Sequence, residues 1–273
     1  MTTALPLDGI AQEVLGAQDQ RRQIAPLSGR HAGFDLPAAY TVARRVCDSR
    51  RAAGWRSVGR KIGFTNASIW DTYAVHAPIW GYMYEHTVVQ LAAQDCRFDP
   101  AALVQPKIEP EIVLALHRAP EPGADAAALL RCIAWVAHGF ELVQSHYPGW
   151  KFQAADTVAD GGLHGALLVG ARLAPEALGD DALALLQSFS LTLHRNGQAV
   201  DSGRGANVLG SPLAALQHLL QVLAAQPGAE PLHAGEIITT GTITAAFDVQ
   251  PGDTWHTQLQ GLPLPGLRVH FDA

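Results

Sequence analysis

Glu109-Pro110-Glu111 lies inside Pro106-Lys107-Ile108-Glu109-Pro110-Glu111-Ile112-Val113-Leu114-Ala115-Leu116, an apolar run of strand type. Two acids in such a run are unusual, because an unpaired buried carboxylate is costly. Strand alternation puts Glu109 and Glu111 on one face and Pro110 on the other. A third acid, Glu141, sits in a second short apolar run, Gly139-Phe140-Glu141-Leu142-Val143. Three carboxylates suit a hard cation, Mg²⁺ or Mn²⁺, and leave coordination positions for water or a chelating substrate. An E-x-E pair by itself is more often a solvated strand face, so its surroundings have to decide. Pro110 removes a ladder donor and points to a sheet edge or a bulge; bulges are common beside active sites.

Elements that could position these acids follow from periodicity and turn residues. Residues 7–23 and 37–53 read as amphipathic helices, joined by Ala25-Pro26-Leu27-Ser28-Gly29. Residues 58–65 read as a short strand, with Asn66 able to cap a helix over Ser68–Tyr73. Strands are expected over 108–116 and 165–169, with Glu141 on another and a helix over 125–137 capped by Asp125. Asn196-Gly197 is a two-residue hairpin signal between strands at 189–194 and 198–202. Ser211-Pro212 opens a helix to about Leu223, and strands at 236–240, 253–259 and 267–271 close the chain. The class is α+β: a helical N-terminal cap region over residues 1–78, then a β-rich catalytic domain over 79–273.

Composition narrows the function. The chain has 273 residues, 48% of them apolar, enough for a substantial core. A net charge of −6 gives no basic footprint for nucleic acid. No G-x-G-x-x-G opens a helix after a strand, which disfavours a dinucleotide fold. Cys47, Cys96 and Cys132 are widely spaced and odd in number, which fits a reducing cytoplasm better than a disulfide framework. No basic n-region followed by an apolar h-region opens the chain, and no fully apolar run reaches the roughly 18 residues of a membrane span. The expectation is a soluble cytoplasmic protein with no nucleic-acid or membrane partner.

Taken in order, six short motifs resemble the hydratase/decarboxylase branch of the fumarylacetoacetate hydrolase superfamily, enzymes of aromatic-compound catabolism. They are Gly59-Arg60-Lys61-Ile62-Gly63-Phe64-Thr65, Glu109-Pro110-Glu111-Ile112, Gly139-Phe140-Glu141, Asp156-Thr157-Val158-Ala159-Asp160, Leu209-Gly210-Ser211-Pro212 and Gly235-Glu236-Ile237-Ile238-Thr239-Thr240-Gly241-Thr242. The resemblance implies a mixed β-roll with Glu109, Glu111 and Glu141 holding one Mg²⁺ or Mn²⁺, Lys61 as the active-site lysine, and Phe64 and Thr242 at the substrate. It also implies a homo-oligomer and a small 2-oxo acid substrate. Lys61, set among Val58, Ile62 and Phe64, could be a snorkelling strand-end residue. Opposite three carboxylates it would instead stay protonated and donate to an enolate oxygen.

Two departures from the family pattern bear on the chemistry. Pro78-Ile79-Trp80-Gly81 carries Ile79 where relatives carry an acid, and Gly161-Gly162-Leu163-His164-Gly165 replaces an Asn-Ala-Ser-Ser-Gly-like run. His164 is therefore a candidate replacement acid or base, or a packing histidine. The leading expectation is a metal-dependent lyase that hydrates a 2-oxo or 2-hydroxydienoic acid through a metal-stabilised enolate. A 4-oxalocrotonate-type decarboxylase, a C–C bond hydrolase of a diketo acid and a non-catalytic 2-oxo-acid binding module are the alternatives. Trp70, Tyr73, Trp80, Tyr82, Tyr84 and Trp150 are candidates for an aromatic pocket or for core.

Overall fold

Two amphipathic helices open the computed structural model, which describes residues 4–66, 70 and 77–273. Helix α1, Leu7–Asp19, buries Ile10, Ala11, Val14, Leu15 and Ala17. Helix α2, Leu36–Ala52, starts where Asp35 caps the Ala38 N–H at 3.0 Å with Pro37 in the first turn. Their apolar faces join Leu27, Phe34, Tyr147, Val158 and Ala159 in a cluster of their own.

The remaining elements are β1 Ser57–Gly63, β2 Ile79–Tyr84, β3 Val88–Gln90, β4 Asp95–Phe98, β5 Lys107–Leu116, α3 Ala126–Leu130, β6 Ile133–Val143, α4 Ala154–Ala159 and β7 His164–Leu173. Then come α5 Ala182–Ser188, β8 Ser190–Arg195, β9 Gln198–Arg204, α6 Pro212–Ala225, β10 Ile237–Thr242, β11 Phe247–Asp248, β12 Thr254–Gln260 and β13 Arg268–Phe271. They build an eight-stranded mixed sheet, ordered β2-β1-β10-β5-β6-β7-β3 with β11 against β5, and a five-stranded sheet, β4-β13-β12-β8-β9. Phe140 and Leu114 of the first sheet and Trp255 and Leu193 of the second belong to one apolar core. This is the expected α+β roll. Strand β1, within the 1–78 segment, belongs to the large sheet and pairs with β2 and β10.

Local patterns and tertiary pairing part company in one place. The helix expected over 125–137 stops at Leu130, although Asp125 caps it as anticipated by accepting the Ala128 N–H at 2.7 Å. From Ile133 the chain is strand, because Ile133, Val136 and Phe140 gain a core position and a full ladder against β5. Helix α1 ends at Asp19 rather than 23. The hairpin at Asn196-Gly197 is present, with both residues at positive φ. Apart from Trp70, the helix expected over Ser68–Tyr73 lies outside the described residues. The stretch Gly205–Ala225 has the length and hydropathy of a membrane span. Ser211 caps α6 within it, and Leu213, Leu216, Leu219 and Leu223 are buried in the core, which makes it a core helix.

Asp156, on α4, ties the helical segment to the sheets. Fully buried, it accepts the Ser28 N–H at 2.8 Å, the Ser28 O–H at 2.6 Å and the Gln153 N–H at 2.8 Å. Asp156→Ala strands two backbone donors and should cost about 2–4 kcal/mol. The urea midpoint reads it; a loss under about 0.5 kcal/mol, the size of an ordinary surface change, would mean that apolar contact alone docks the helices.

Candidate active site

The register of β5 with β6 brings the acids together. Glu109 stands directly opposite Glu141, and Glu111 stands opposite Gly139. Carboxylate oxygens of all three lie within 4.8 Å of one another. Glu111 and Glu141 are fully buried, and Glu109 is partly so. Directly opposed like charges destabilise a sheet, and burial sharpens the cost.

The bulge expected from Pro110 is found, on the neighbouring strand. Pro110 is central in its sheet, and the β10–β5 register shifts between Thr239 and Thr242, where Pro110 has no N–H to offer. Its carbonyl accepts from Ile243 at 2.9 Å. The displaced turn puts the Gly241 N–H 2.7 Å from Glu111 Oε2. Gly241 has φ +97°, and a Cβ there would fall 1.8 Å from Thr65 Oγ1, so this close approach needs glycine. Behind Glu111, His138 bridges its carbonyl (3.0 Å) and Thr257 Oγ1 (2.8 Å) of the second sheet. Burial lowers the His138 imidazole to about 4, so it serves as a neutral strut.

Lys61 reaches the acids from β1. Its Nζ lies 3.3 Å from Glu141 Oε2 and donates to Gly162 O at 2.9 Å. Burial alone would lower the ammonium's pKa, yet the neighbouring carboxylates, the ionised Glu141 foremost, outweigh it and raise the value. Lys61 is therefore a buried, protonated lysine, not a snorkelling one. On the other side of Glu141, His164 Nδ1 donates to Oε1 at 2.8 Å, while its Nε2 contacts Thr87 Oγ1 at 2.9 Å.

These partners divide the three acids. Burial would raise Glu141, but Lys61 and then His164 hold it at about 2. Burial, together with the charge on Glu141, pushes Glu109 up to about 7 and Glu111 well above the carboxylate range. Among the described residues Glu111 Oε1, which is buried, has no hydrogen-bond donor, and Glu141 Oε2 has only the 3.3 Å ion pair with Lys61. Hard oxygen donors, converging and under-satisfied, fit a divalent cation of the Mg²⁺ or Mn²⁺ type.

A cavity of about 540 Å³ opens over the cluster. Lys61, Phe64, Glu109 and Thr242 line it, as do Ile79 and Leu163, so both sequence departures include a wall residue. Thr242 spends its hydroxyl proton on Thr244 O at 3.0 Å. His164 is absent from this lining; it borders a separate cavity of about 140 Å³ with Arg50, Trp55 and Thr87. Of the aromatic candidates, Trp150 lines the site, whereas Trp80 and Tyr82 face another groove and stack around Arg60. Sequence reading missed Thr87, Gly162 O and Lys107. Of these only Lys107 had a signal, its period-two alignment with Glu109 and Glu111.

Residues 74–269 match the family described as Fumarylacetoacetate (FAA) hydrolase C-terminal. The chain is 31% identical over 252 residues to 2-hydroxyhexa-2,4-dienoate hydratase of Comamonas testosteroni, covering 92% of each. It is 30% identical to 4-oxalocrotonate decarboxylase of Pseudomonas putida, covering 93% of this chain and 92% of that protein. The solved structure of 4-oxalocrotonate decarboxylase from Pseudomonas putida G7, complexed with magnesium and adipate, superposes with a TM-score of 0.89 at 27% identity, over 99% of this chain and all of that one. This chain belongs to the fumarylacetoacetate hydrolase family.

The proton balance makes a prediction. Folding lifts Glu109 from 4.5 to about 7, so the metal-free native state keeps a proton that the unfolded chain has released. Stability conferred below about pH 4.5 should therefore be lost as pH rises through about 7. In EDTA-treated protein the Tm should fall across that window, and Mn²⁺ or Glu109→Gln should flatten the fall. A Tm that rises or stays level there would mean that the carboxylates are ionised without a cation.

Proposed function

We propose that this protein is a metal-dependent lyase that hydrates a 2-oxo or 2-hydroxydienoic acid in aromatic-compound catabolism. The observation that carries the reading is the buried Lys61, its Nζ 3.3 Å from a three-carboxylate cluster beneath a cavity of small-molecule size. The named relatives, a dienoate hydratase and a 4-oxalocrotonate decarboxylase, support it. In this reading the protein is a cytoplasmic homo-oligomer, in keeping with three free cysteines.

Glu109, Glu111 and Glu141 would hold the divalent cation, which supplies a Lewis acid for the C1 carboxylate and C2 oxygen of the substrate. Lys61, fixed by Gly162 O, presents its ammonium to the negative charge that grows on the C2 oxygen as the dienol tautomerises. Phe64, Ile79 and Leu163 supply an apolar wall that limits water around that charge. Thr242 would turn its hydroxyl from Thr244 toward the substrate carboxylate. His164 acts as a positioning residue, orienting Glu141 through Nδ1 and held in turn by Thr87.

Decarboxylation of a vinylogous keto acid is the second reading. It uses the same charge stabilisation without adding water, and it is favoured by the shortage of acids along the cavity. Among the described lining residues only Glu109 and Asp201 are acidic, and Asp201 already accepts the Ser202 and Ala245 N–H groups. Loss of dienoate ultraviolet absorbance, with and without Mg²⁺, tests the lyase reading. Carbon dioxide release from 4-oxalocrotonate separates the two reactions, and binding without turnover would point to a non-catalytic module.

Lys61→Met nearly preserves side-chain volume while removing the donor. It should retain divalent-metal binding by calorimetry and lose about 10²–10³ in turnover. Activity within a few-fold of wild type would remove Lys61 from the mechanism. His164→Asn should weaken metal affinity and turnover together, by about 10–100-fold, as loss of a ligand's outer partner does. A fall in turnover with metal affinity unchanged would instead make His164 an acid or base.

A further inference from the structure

The two segments that depart from the family pattern touch each other, and they touch beside Lys61. Gly81 of β2 stands directly opposite Lys61 of β1, so the two share a face of the sheet. On that face lies the turn Gly161–Leu163. A Cβ on Gly81 would fall 2.1 Å from Gly161 O, and a Cβ on Gly162 would fall 2.7 Å from Lys61 Cδ. The turn is thus seated on bare backbone at β2 and also fits against the lysine stem. Gly81 is not among the residues at positive φ, so it is space, not backbone angle, that requires glycine there.

The turn is held in a costly shape. Gly161, Gly162 and Leu163 have φ of +67°, +71° and +64°, three left-handed residues in succession. L residues visit that region singly, and a leucine has no polar side chain with which to offset the cost. Such strain persists only where the surroundings over-determine it. At the start of the turn the buried Asp160 accepts from the His146 N–H at 3.3 Å, the His146 ring at 2.9 Å and Gln18 Nε2 at 3.1 Å. At its end the Leu163 N–H returns to Asp160 O at 3.1 Å, and Leu163 O accepts the Gln144 N–H at 2.9 Å. What the turn delivers is the Gly162 carbonyl, 2.9 Å from Lys61 Nζ and set beside the lysine's ion pair with Glu141.

We propose that Gly81 is a positioning residue for Lys61. By leaving its face of β2 bare, it lets the left-handed turn settle close against the sheet, where Gly162 O fixes the ammonium. The proposal rests on the reading that Lys61 meets the negative charge on the substrate's C2 oxygen. A methyl group at position 81 has to lift the turn by roughly 1 Å, and a misplacement of that size costs about 10²-fold in rate even when it originates away from the reacting atoms. The turn also leads directly into His164, so the same displacement has a second possible route, through Glu141, which the test has to separate.

Turnover of dienoate or 4-oxalocrotonate by the Mg²⁺-loaded protein, in a double-mutant cycle of Gly81→Ala with Lys61→Met, tests it. Gly81→Ala should lower kcat about 10²-fold and leave KM within about threefold. With Lys61→Met already in place, the same substitution should change kcat by less than about threefold, because the group it acts through is gone. Mg²⁺ affinity by calorimetry should stay near wild type in every variant. Equal losses in the two backgrounds would make Gly81 merely structural and overturn the proposal, as would Gly81→Ala activity within a few-fold of wild type. A matching loss of Mg²⁺ affinity would route the effect through His164 and Glu141, and overturns it too. If Gly81→Ala does not fold, Leu163→Gly loosens the same turn without adding volume and should show the same dependence on Lys61; additive losses there overturn the proposal. No turnover of either acid, or Lys61→Met activity close to wild type, removes the reading of Lys61 and the positioning role with it.

Discussion

Like-charge repulsion between buried carboxylates is the constraint on which the rest of this structure depends. Glu109 and Glu141 oppose each other across β5 and β6, and Glu111 joins them within 4.8 Å. No sheet gains stability from that arrangement, so each neighbouring element is placed to manage it. Lys61 and His164 approach Glu141 from different strands, and Gly241 turns an N–H onto Glu111. The two acids without a direct cationic partner as close as these are pushed up by burial and by the charge on Glu141, and retain protons that a divalent cation could replace. The site trades folding energy for readiness to bind a cation.

The mixed topology makes this possible. Parallel pairing of β1 with β10, beside antiparallel pairing of β10 with β5, brings Lys61 and Glu111 onto strands of the same sheet that are separated only by β10. The proline that costs β5 a ladder donor lies where β10 bulges, and the bulge supplies Gly241. At the far side Gly162, with φ +71°, leaves room for the Lys61 side chain, since a Cβ there would come within 2.7 Å of its Cδ. The helical segment completes the site indirectly: Asp156 anchors it, and α4 leads into the Gly161-Gly162 turn that receives the lysine.

The family resemblance and the departures from it divide along the same line. The groups that handle charge, Glu109, Glu111, Glu141 and Lys61, keep the family pattern and converge. The residues that differ, Ile79 and Leu163, are apolar wall. His164 differs too, yet it lies against Glu141 and away from the main cavity. The departures therefore fall on the cavity wall and on the side of Glu141 that faces away from the cavity, while Lys61 and the three carboxylates keep the family pattern.

Period-two alternation is a local property, and it sufficed to place Glu109 and Glu111 on one face of a strand before any fold was known; Lys107 obeys the same rule but went unread. Caps and turns were equally local: Asp35 escaped notice, but Asp125, Ser211 and Asn196-Gly197 were legible because each acts on its own few residues. Tertiary structure decided what depends on partners distant in sequence. The β5–β6 register set Glu109 opposite Glu141, and the same pairing turned residues 133–137 from expected helix into strand. It also decided that His164 faces Glu141 and that Lys107 reaches the cavity of Lys61. Which face a side chain takes is written in its immediate neighbours; what that face meets is fixed only when distant strands pair and bury it.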